Sequence, residues 1–290
     1  MDVERLDVLA LLEPGDEVVI FAPFYSYHVN ILTLCGARPR FVDLKAPDWS
    51  FDPDALRAAF GPRTRLVVVN TPSNPTGKVF RQDELALIGE LCVRHDALAL
   101  TDEIYEYILY DDHRHVSLAT VPGMGERTIT LSGFSKTYNM TGWRLGYAVG
   151  PVPLMEKVGV VSDLLAICAP TPLQHALVAA FDLPASYYTA LKRDYARKRG
   201  LSLAACRDAG FEPIPPQGAY YFLMDVSRLG ARDDREAAAI ILERTGVATV
   251  PGGSFFPRAE DGRHLVRLCF AKKDADLEAA CSRLRTLAES

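Results

Sequence analysis

The 290-residue sequence has no C-x-x-C pair, although it carries six cysteines, and it has no histidines at the spacing of a zinc site. Cys35, Cys92, Cys168, Cys206, Cys269 and Cys281 lie far apart, and most read as buried thiols in a reducing compartment. The chain also lacks a block of one charge: 32 Lys and Arg stand against 37 Asp and Glu, for a net charge of -5, and the basic residues are scattered. That distribution excludes an electrostatic footprint for nucleic acid or an anionic membrane and points to a small-molecule partner. No apolar run is long enough to span a bilayer, and Met1-Asp2-Val3-Glu4-Arg5 is charged where a secretory signal needs an apolar stretch. The expected location is the cytoplasm. Repeats, low-complexity tracts and flexible linkers are missing too. The serine-hydrolase elbow G-x-S-x-G fails because Gly133-Phe134-Ser135 runs into Lys136, and the S-x-x-K pattern fails because its serine would fall on Gly133. A phosphate loop ending at Gly77-Lys78 would need a glycine where Pro72 stands. His113 and His115 read as loop surface, and no metal site is expected.

What the sequence does have is an ordinary globular composition, 49% hydrophobic, and a regular alternation of β-rich and helical segments. Glu17 to Phe21, Leu66 to Asn70, Ala97 to Thr101, Thr128 to Leu131 and Leu145 to Val149 read as strands, and several are apolar throughout, as strands covered on both faces are. Asp52-Pro53 is a helix start, and Gln82 to His95 carries apolar residues at helical spacing. The alternation predicts an α/β fold with a mostly parallel sheet flanked by helices. From about Pro184 the pattern changes to a long charged helix from Tyr187 to Asp208. Short strands follow (Tyr220 to Asp225, His264 to Phe270), with helices at Arg235 to Thr245 and Asp274 to Leu287. We therefore expect a large unit over 1–183 and a smaller α+β unit over 184–290.

In open α/β sheets ligands bind beyond the carboxyl ends of the strands. Three consecutive strand runs are followed there by Asn74-Pro75, by Asp102 with Tyr105, and by Ser132-Gly133-Phe134-Ser135-Lys136. Each segment alone reads as a turn, a helix cap or a surface lysine. Together they bring an amide, an acid with a phenol, and an amine to one crevice. A lysine amine can bond a carbonyl cofactor, and pyridoxal 5'-phosphate (PLP) needs an acid opposite its ring nitrogen.

Asn74-Pro75-Thr76-Gly77, Asp102-x-x-Tyr105 and Ser135-Lys136-Thr137 with Thr141-Gly142-Trp143-Arg144-Leu145-Gly146 resemble the class I aminotransferases. Pro251-Gly252-Gly253-Ser254-Phe255-Phe256 and Val266-Arg267-Leu268-Cys269-Phe270-Ala271 are similar to the family's C-terminal motifs. The resemblance implies the PLP-dependent transferase fold type I, with PLP as cofactor and an amino acid and a 2-oxo acid as substrates. It implies Lys136 as the amine that carries the cofactor and acts as general base. Asp102 is implied as the acid that keeps the pyridine nitrogen protonated, and Tyr105 and Asn74 as hydrogen-bond partners of the ring oxygen. Tyr25 matches the aromatic stacked on the cofactor, and Arg144 matches the phosphate ligand. Ser132 and Ser135 are further phosphate candidates. The family's usual hydroxyl three residues before the lysine is here Gly133. Arg267 matches the arginine that pairs with the substrate carboxylate, with Asn74 beside it.

Segments such as His113 to Ser117 and Pro122-Gly123-Met124 resemble the branch with kynurenine, glutamine and methionine aminotransferases, which favours an aromatic or sulfur-containing amino acid. A homodimer is implied. The family's glycine- and serine-rich phosphate loop precedes the helix that leads into Glu13-Pro14-Gly15-Asp16, and this chain starts at about that helix, so its N-terminal part is expected to be missing. Two other functions stay open on the same residues: a PLP-dependent C-S β-lyase, and a non-catalytic PLP-binding subunit.

Overall fold

The computed structural model describes residues 10–289, so the helix expected from Met1 to Leu6 lies outside the described residues. The strands are β1 (Glu17–Ala22), β2 (Arg38–Lys45), β3 (Ser50–Phe51), β4 (Thr64–Asn70), β5 (Leu98–Asp102), β6 (Thr128–Gly133) and β7 (Gly146–Val149). They form one seven-stranded sheet in the order β3-β2-β1-β4-β5-β6-β7. β2, β1, β4, β5 and β6 run parallel, while β3 and β7 pair antiparallel at the two edges.

The antiparallel β7 corrects the expectation of a parallel strand at Leu145 to Val149. A parallel return needs a crossover of a dozen or more residues, generally a helix. The segment from Phe134 to Leu145 holds only a short 3-10 turn at Thr141–Trp143, so the chain folds straight back. β2 and the helix Ser26–Leu34 were not read from the sequence.

β1 is buried at every position because it is covered on both faces. Val18 and Ile20 join one core with Leu66, Val68 and Leu100, and Val19 and Phe21 join another with Val67, Val69 and Ala99. Burying each such side chain stabilises by about 1.5–3 kcal/mol, which is why apolar runs mark these strands. The helix Gln82–His95 matches its predicted span and lays Leu85, Ile88, Leu91 and Cys92 on the sheet, a spacing of three to four residues. The helix Pro53–Ala59 starts where Asp52 Oδ1 accepts from the Asp54 amide at 2.9 Å.

The helix Ala185–Asp208 begins just after Pro184 and leads into a second, antiparallel sheet. Its strands are β8 (Glu212–Pro213), β9 (Tyr221–Asp225), β10 (Val250–Pro251) and β11 (Leu265–Cys269), in the order β10-β11-β9-β8. The helices Asp234–Thr245 and Asp274–Arg285 contribute to its core. That core also takes in Tyr105, Ile108 and Tyr110 from the segment after β5. Tyr110 donates its hydroxyl to the Ala219 carbonyl, so the two sheets are tied together beside the site.

Candidate active site

β4, β5 and β6 end side by side, with Asn70 paired to Asp102 and Asp102 to Leu131. Beyond these ends lies a cavity of about 510 Å³, a size that suits a small ligand. Tyr25, Asn74, Asp102, Tyr105, Ser132, Ser135, Lys136, Arg144 and Arg267 all line it, so every site residue nominated from the sequence reaches one space.

Lys136 follows β6, with Nζ 5.9 Å from the centre of the Tyr105 ring and 5.8 Å from that of Tyr220. Burial pushes its ammonium pKa down, the Asp102 carboxylate opposes that, and the nearby Arg144 charge adds to the lowering. The amine is thus easier to deprotonate than an exposed lysine. Asp102 accepts from the Ile104 amide through Oδ1 at 3.3 Å. Its Oδ2 lies 3.4 Å from Nε2 of the buried His28, a neighbour that sequence reading missed. Tyr25, at the start of the helix that carries His28, sets its ring edge-on to that imidazole at 5.4 Å.

Tyr105 is buried, and that burial, reinforced by Tyr220, Tyr221 and the Asp102 charge, pushes its phenol well above the ordinary value. It stays a hydrogen-bond donor. Asn74 is buried in the loop after β4, where its amide donates to Asn70 Oδ1 at 2.7 Å. Arg267, on β11 of the second sheet, donates from Nη1 to Asn74 Oδ1 at 2.7 Å. Its guanidinium lies over the rings of Tyr221 at 4.3 Å and Phe255 at 4.9 Å, and its buried Nε makes no hydrogen bond among the described residues. Phe255 lies in the Pro251 to Phe256 motif, whereas Tyr221 carried no motif and comes to the cavity through the pairing of β9 with β11.

Arg144 closes the Thr141–Trp143 turn with φ +56° and donates from Nη1 to the Thr141 carbonyl at 3.3 Å. Ser135 accepts from Thr141 Oγ1 through its carbonyl at 3.1 Å, and Ser132 Oγ donates to Glu106 Oε1 at 3.2 Å. At Gly133 an added Cβ would sit 3.0 Å from both Gly146 Cα and the Leu145 carbonyl, so a hydroxyl-bearing side chain has no room there. Behind Ser132, the buried Glu103 accepts from Ser117 Oγ at 2.8 Å and pairs with His115 Nε2 at 2.7 Å. His115 is therefore part of an inner polar cluster, which corrects the loop-surface reading. Ligand atoms of Glu103, Glu106 and His115 lie within 4.8 Å of one another, and the Nε2 of His115 is taken up by Glu103.

A desolvated amine, a carboxylate, a buried phenol and two guanidinium groups thus converge on one cavity, a donor set suited to an anionic carbonyl compound. Residues 4–284 match the family described as "Aminotransferase class I and II". The chain is 36% identical to kynurenine-oxoglutarate transaminase 3 of Mus musculus, with 94% of this chain and 66% of the mouse protein covered. It is 38% identical to a probable N-succinyldiaminopimelate aminotransferase of Mycobacterium tuberculosis, over 97% of this chain and 74% of that one. The solved N-succinyldiaminopimelate aminotransferase from Mycobacterium tuberculosis superposes with a TM-score of 0.94 at 37% identity, covering 99% of this chain and 75% of its own. The chain thus spans 66% of the mouse relative's length and 74% of the mycobacterial one's. Among the described residues, no helix is long and apolar enough to cross a membrane.

Proposed function

The chain belongs to the class I and II aminotransferase family, and from that membership we propose that it moves an amino group between an amino acid and a 2-oxo acid, using PLP held at Lys136. One observation carries the reading: the lysine with a lowered pKa lies in the same cavity as Asp102 and as Arg267, which reaches in from the other sheet. The residues fit the cofactor. Lys136 supplies the amine for its aldehyde, Asp102 the carboxylate for its ring nitrogen, and Tyr105 and Asn74 donors for its ring oxygen. Tyr25 supplies a face for the ring, and Arg144 a guanidinium for the phosphate, with Ser132 and Ser135 beside it. When bound, PLP supplies an electron sink for the carbanion formed at the substrate α-carbon.

The protein's own part is to bind, orient and move one proton. Arg267 receives the α-carboxylate with two parallel hydrogen bonds, and Asn74 fixes the guanidinium for that role. The Lys136 amine, made easier to deprotonate by burial, is placed to take the α-proton and to hand it back. Tyr27, Tyr221 and Phe255 on the cavity wall support a substrate with a neutral aromatic or sulfur-containing side chain.

Residues 1–183 would form the cofactor-binding unit and 184–290 the smaller unit that carries Arg267. A second copy of the chain is the partner we assign. Val149, Val152, Val160, Leu164, Ile167 and Phe181 are all well exposed, and an apolar surface of that kind supports association. Six cysteines, none of them in a disulfide among the described residues, support a reducing, cytoplasmic location.

The test is the visible absorption spectrum of the protein with added PLP, before and after an amino acid mixture, with Lys136→Ala alongside. A band that needs Lys136 and shifts when amino acid is added, with a 2-oxo acid released, supports the reading. Pyruvate and ammonia as products would point instead to β-elimination. A spectrum identical in Lys136→Ala overturns the assignment.

A further inference from the structure

Ser132 lines the same cavity as Arg144, yet its hydroxyl donates to Glu106 rather than pointing into the cavity. Glu106 is half-buried and belongs to the segment that follows Asp102. From these contacts we infer that Glu106 is a positioning residue for anion binding: it sets which way the Ser132 hydroxyl points, and a phosphate group is accepted only when Glu106 is a neutral carboxyl. The inference rests on the reading of Arg144 as the phosphate ligand.

The geometry leaves few alternatives on β6. Gly133 cannot carry a hydroxyl because Gly146 and Leu145 close on it, so Ser132 is the side chain of that strand able to donate here. A serine hydroxyl has one proton. With Glu106 ionised, that proton is spent on Oε1, and the carboxylate repels an incoming phosphate. With Glu106 protonated, the acid donates to Ser132 Oγ, and the serine proton turns to the ligand.

The groups around Glu106 favour the neutral form. Burial is the largest influence and raises its pKa; the Ser132 hydrogen bond and His115 oppose this, and the Glu103 charge adds to it. Tyr107 and Tyr147 are the other titratable groups that feel it, and Tyr147, opposite Ser132 in the β6–β7 pair, also hydrogen-bonds the Ser132 hydroxyl, so it shares that group with Glu106. Glu103 is itself held by His115 and Ser117, so it is not free to take the Ser132 proton. Phosphate binding therefore takes up a proton, and it weakens as pH rises through the elevated pKa of Glu106.

The experiment is fluorescence titration with PLP and, in parallel, with pyridoxal, which is the same compound without the phosphate. Wild type is compared with Ser132→Ala, Glu106→Gln, Glu106→Ala and the Glu106→Ala/Ser132→Ala pair across the neutral pH range. Ser132→Ala should weaken PLP roughly tenfold, as expected for a lost hydrogen bond to a charged group, and leave pyridoxal unchanged. Glu106→Ala removes the charge and frees the serine proton, so it should bind PLP no more weakly than wild type and lose the pH dependence, and the pair should lose as much as Ser132→Ala alone. Glu106→Gln, which keeps a neutral donor of the same shape, should bind PLP like wild type at low pH and hold that affinity where wild type weakens. Weaker PLP binding in Glu106→Ala, equal losses for pyridoxal, or an unchanged pH slope in Glu106→Gln overturn the inference alone. PLP binding that is indifferent to Lys136→Ala removes the functional reading and this inference with it.

Discussion

Arg267 Nη1 donates to Asn74 Oδ1 at 2.7 Å, a bond that joins β11 of the second sheet to the loop after β4 of the first. The same guanidinium is sandwiched against Tyr221 and Phe255, so its plane is fixed before any ligand arrives. A lysine at this position would keep the charge but lose the planar fork and the ring contacts. Arg267→Lys should raise the KM for amino acid by roughly 10- to 100-fold, the worth of a charged hydrogen bond of about 1.5–3 kcal/mol, and leave PLP affinity unchanged. Steady-state kinetics beside a PLP titration checks this. A loss of PLP binding in the variant would mean that Arg267 serves the fold rather than the substrate.

Lys136 gives a pH prediction with a definite sign. Burial lowers its pKa from the model-compound value of 10.5, and Arg144 lowers it further while Asp102 opposes. The reactive free amine is therefore populated at a lower pH than on an exposed lysine. The rate at which borohydride fixes PLP to the protein should level off earlier in pH than for a free ε-amine. In Arg144→Ala the midpoint should move up, because one lowering charge is gone; in Asp102→Asn it should move down. Peptide mapping of the fixed lysine against pH reads all three. Midpoints that do not respond to Arg144→Ala would show that this charge does not act on the amine.

The parts of the site that could be read from sequence are those the sheet delivers locally. β1, β4 and β5 announced themselves as apolar runs because both faces are covered, and Asn74 and Lys136 follow strand ends, with Asp102 the last residue of β5, where ligands bind. The helix Ser26–Leu34 and β2 were missed. β2 did offer a signal, since Arg38, Arg40, Asp43 and Lys45 are interleaved with apolar residues. His28, Glu106 and Tyr221 were missed for a different reason. His28 reaches Asp102 across 74 positions, 102 minus 28, and no local pattern encodes that contact. Reading β7 as parallel came from extending the β/α alternation one step too far, past a connection too short for a crossover helix.

Lys78 and Glu84 form an ion pair at 2.7 Å, with side chains only 1% and 5% exposed. Burial lowers the pKa of Lys78, and Glu84 is the main influence opposing that. Glu84 also accepts from the Arg81 amide at 2.8 Å, so it caps the helix Gln82–His95 while it holds the loop that carries Asn74. Lys78→Met would leave the buried Glu84 carboxylate with only the Arg81 amide and, at 3.5 Å, the half-exposed Arg81 guanidinium, and should destabilise by up to about 3–5 kcal/mol. The Lys78→Met/Glu84→Gln pair removes both charges and should recover most of that loss. Urea unfolding of the three proteins decides it. A single variant as stable as wild type would mean that water reaches Glu84 and the pair contributes little.

The turn after Asn74 makes its own demand on backbone shape. Gly77 has φ +72°, and a Cβ there would lie 2.2 Å from Pro216 Cβ and 2.7 Å from the Gly218 carbonyl. The Gly77 carbonyl also accepts from the amides of Gln217 and Gly218 at 2.9 and 2.8 Å, so this turn is a second seam between the loop and the other sheet. Gly77→Ala must either shift the Pro216 segment or open the seam, and either change displaces Asn74 from Arg267. Gly200 is the control. It sits exposed within the helix Ala185–Asp208, with nothing inside 4 Å of an added Cβ, so Gly200→Ala should stabilise by about 0.5–1 kcal/mol. Gly77→Ala should lower the unfolding midpoint and raise the KM for amino acid together, whereas Gly200→Ala should raise the midpoint and leave KM alone. Equal behaviour of the two alanines would show that the seam yields without cost and does not hold the site.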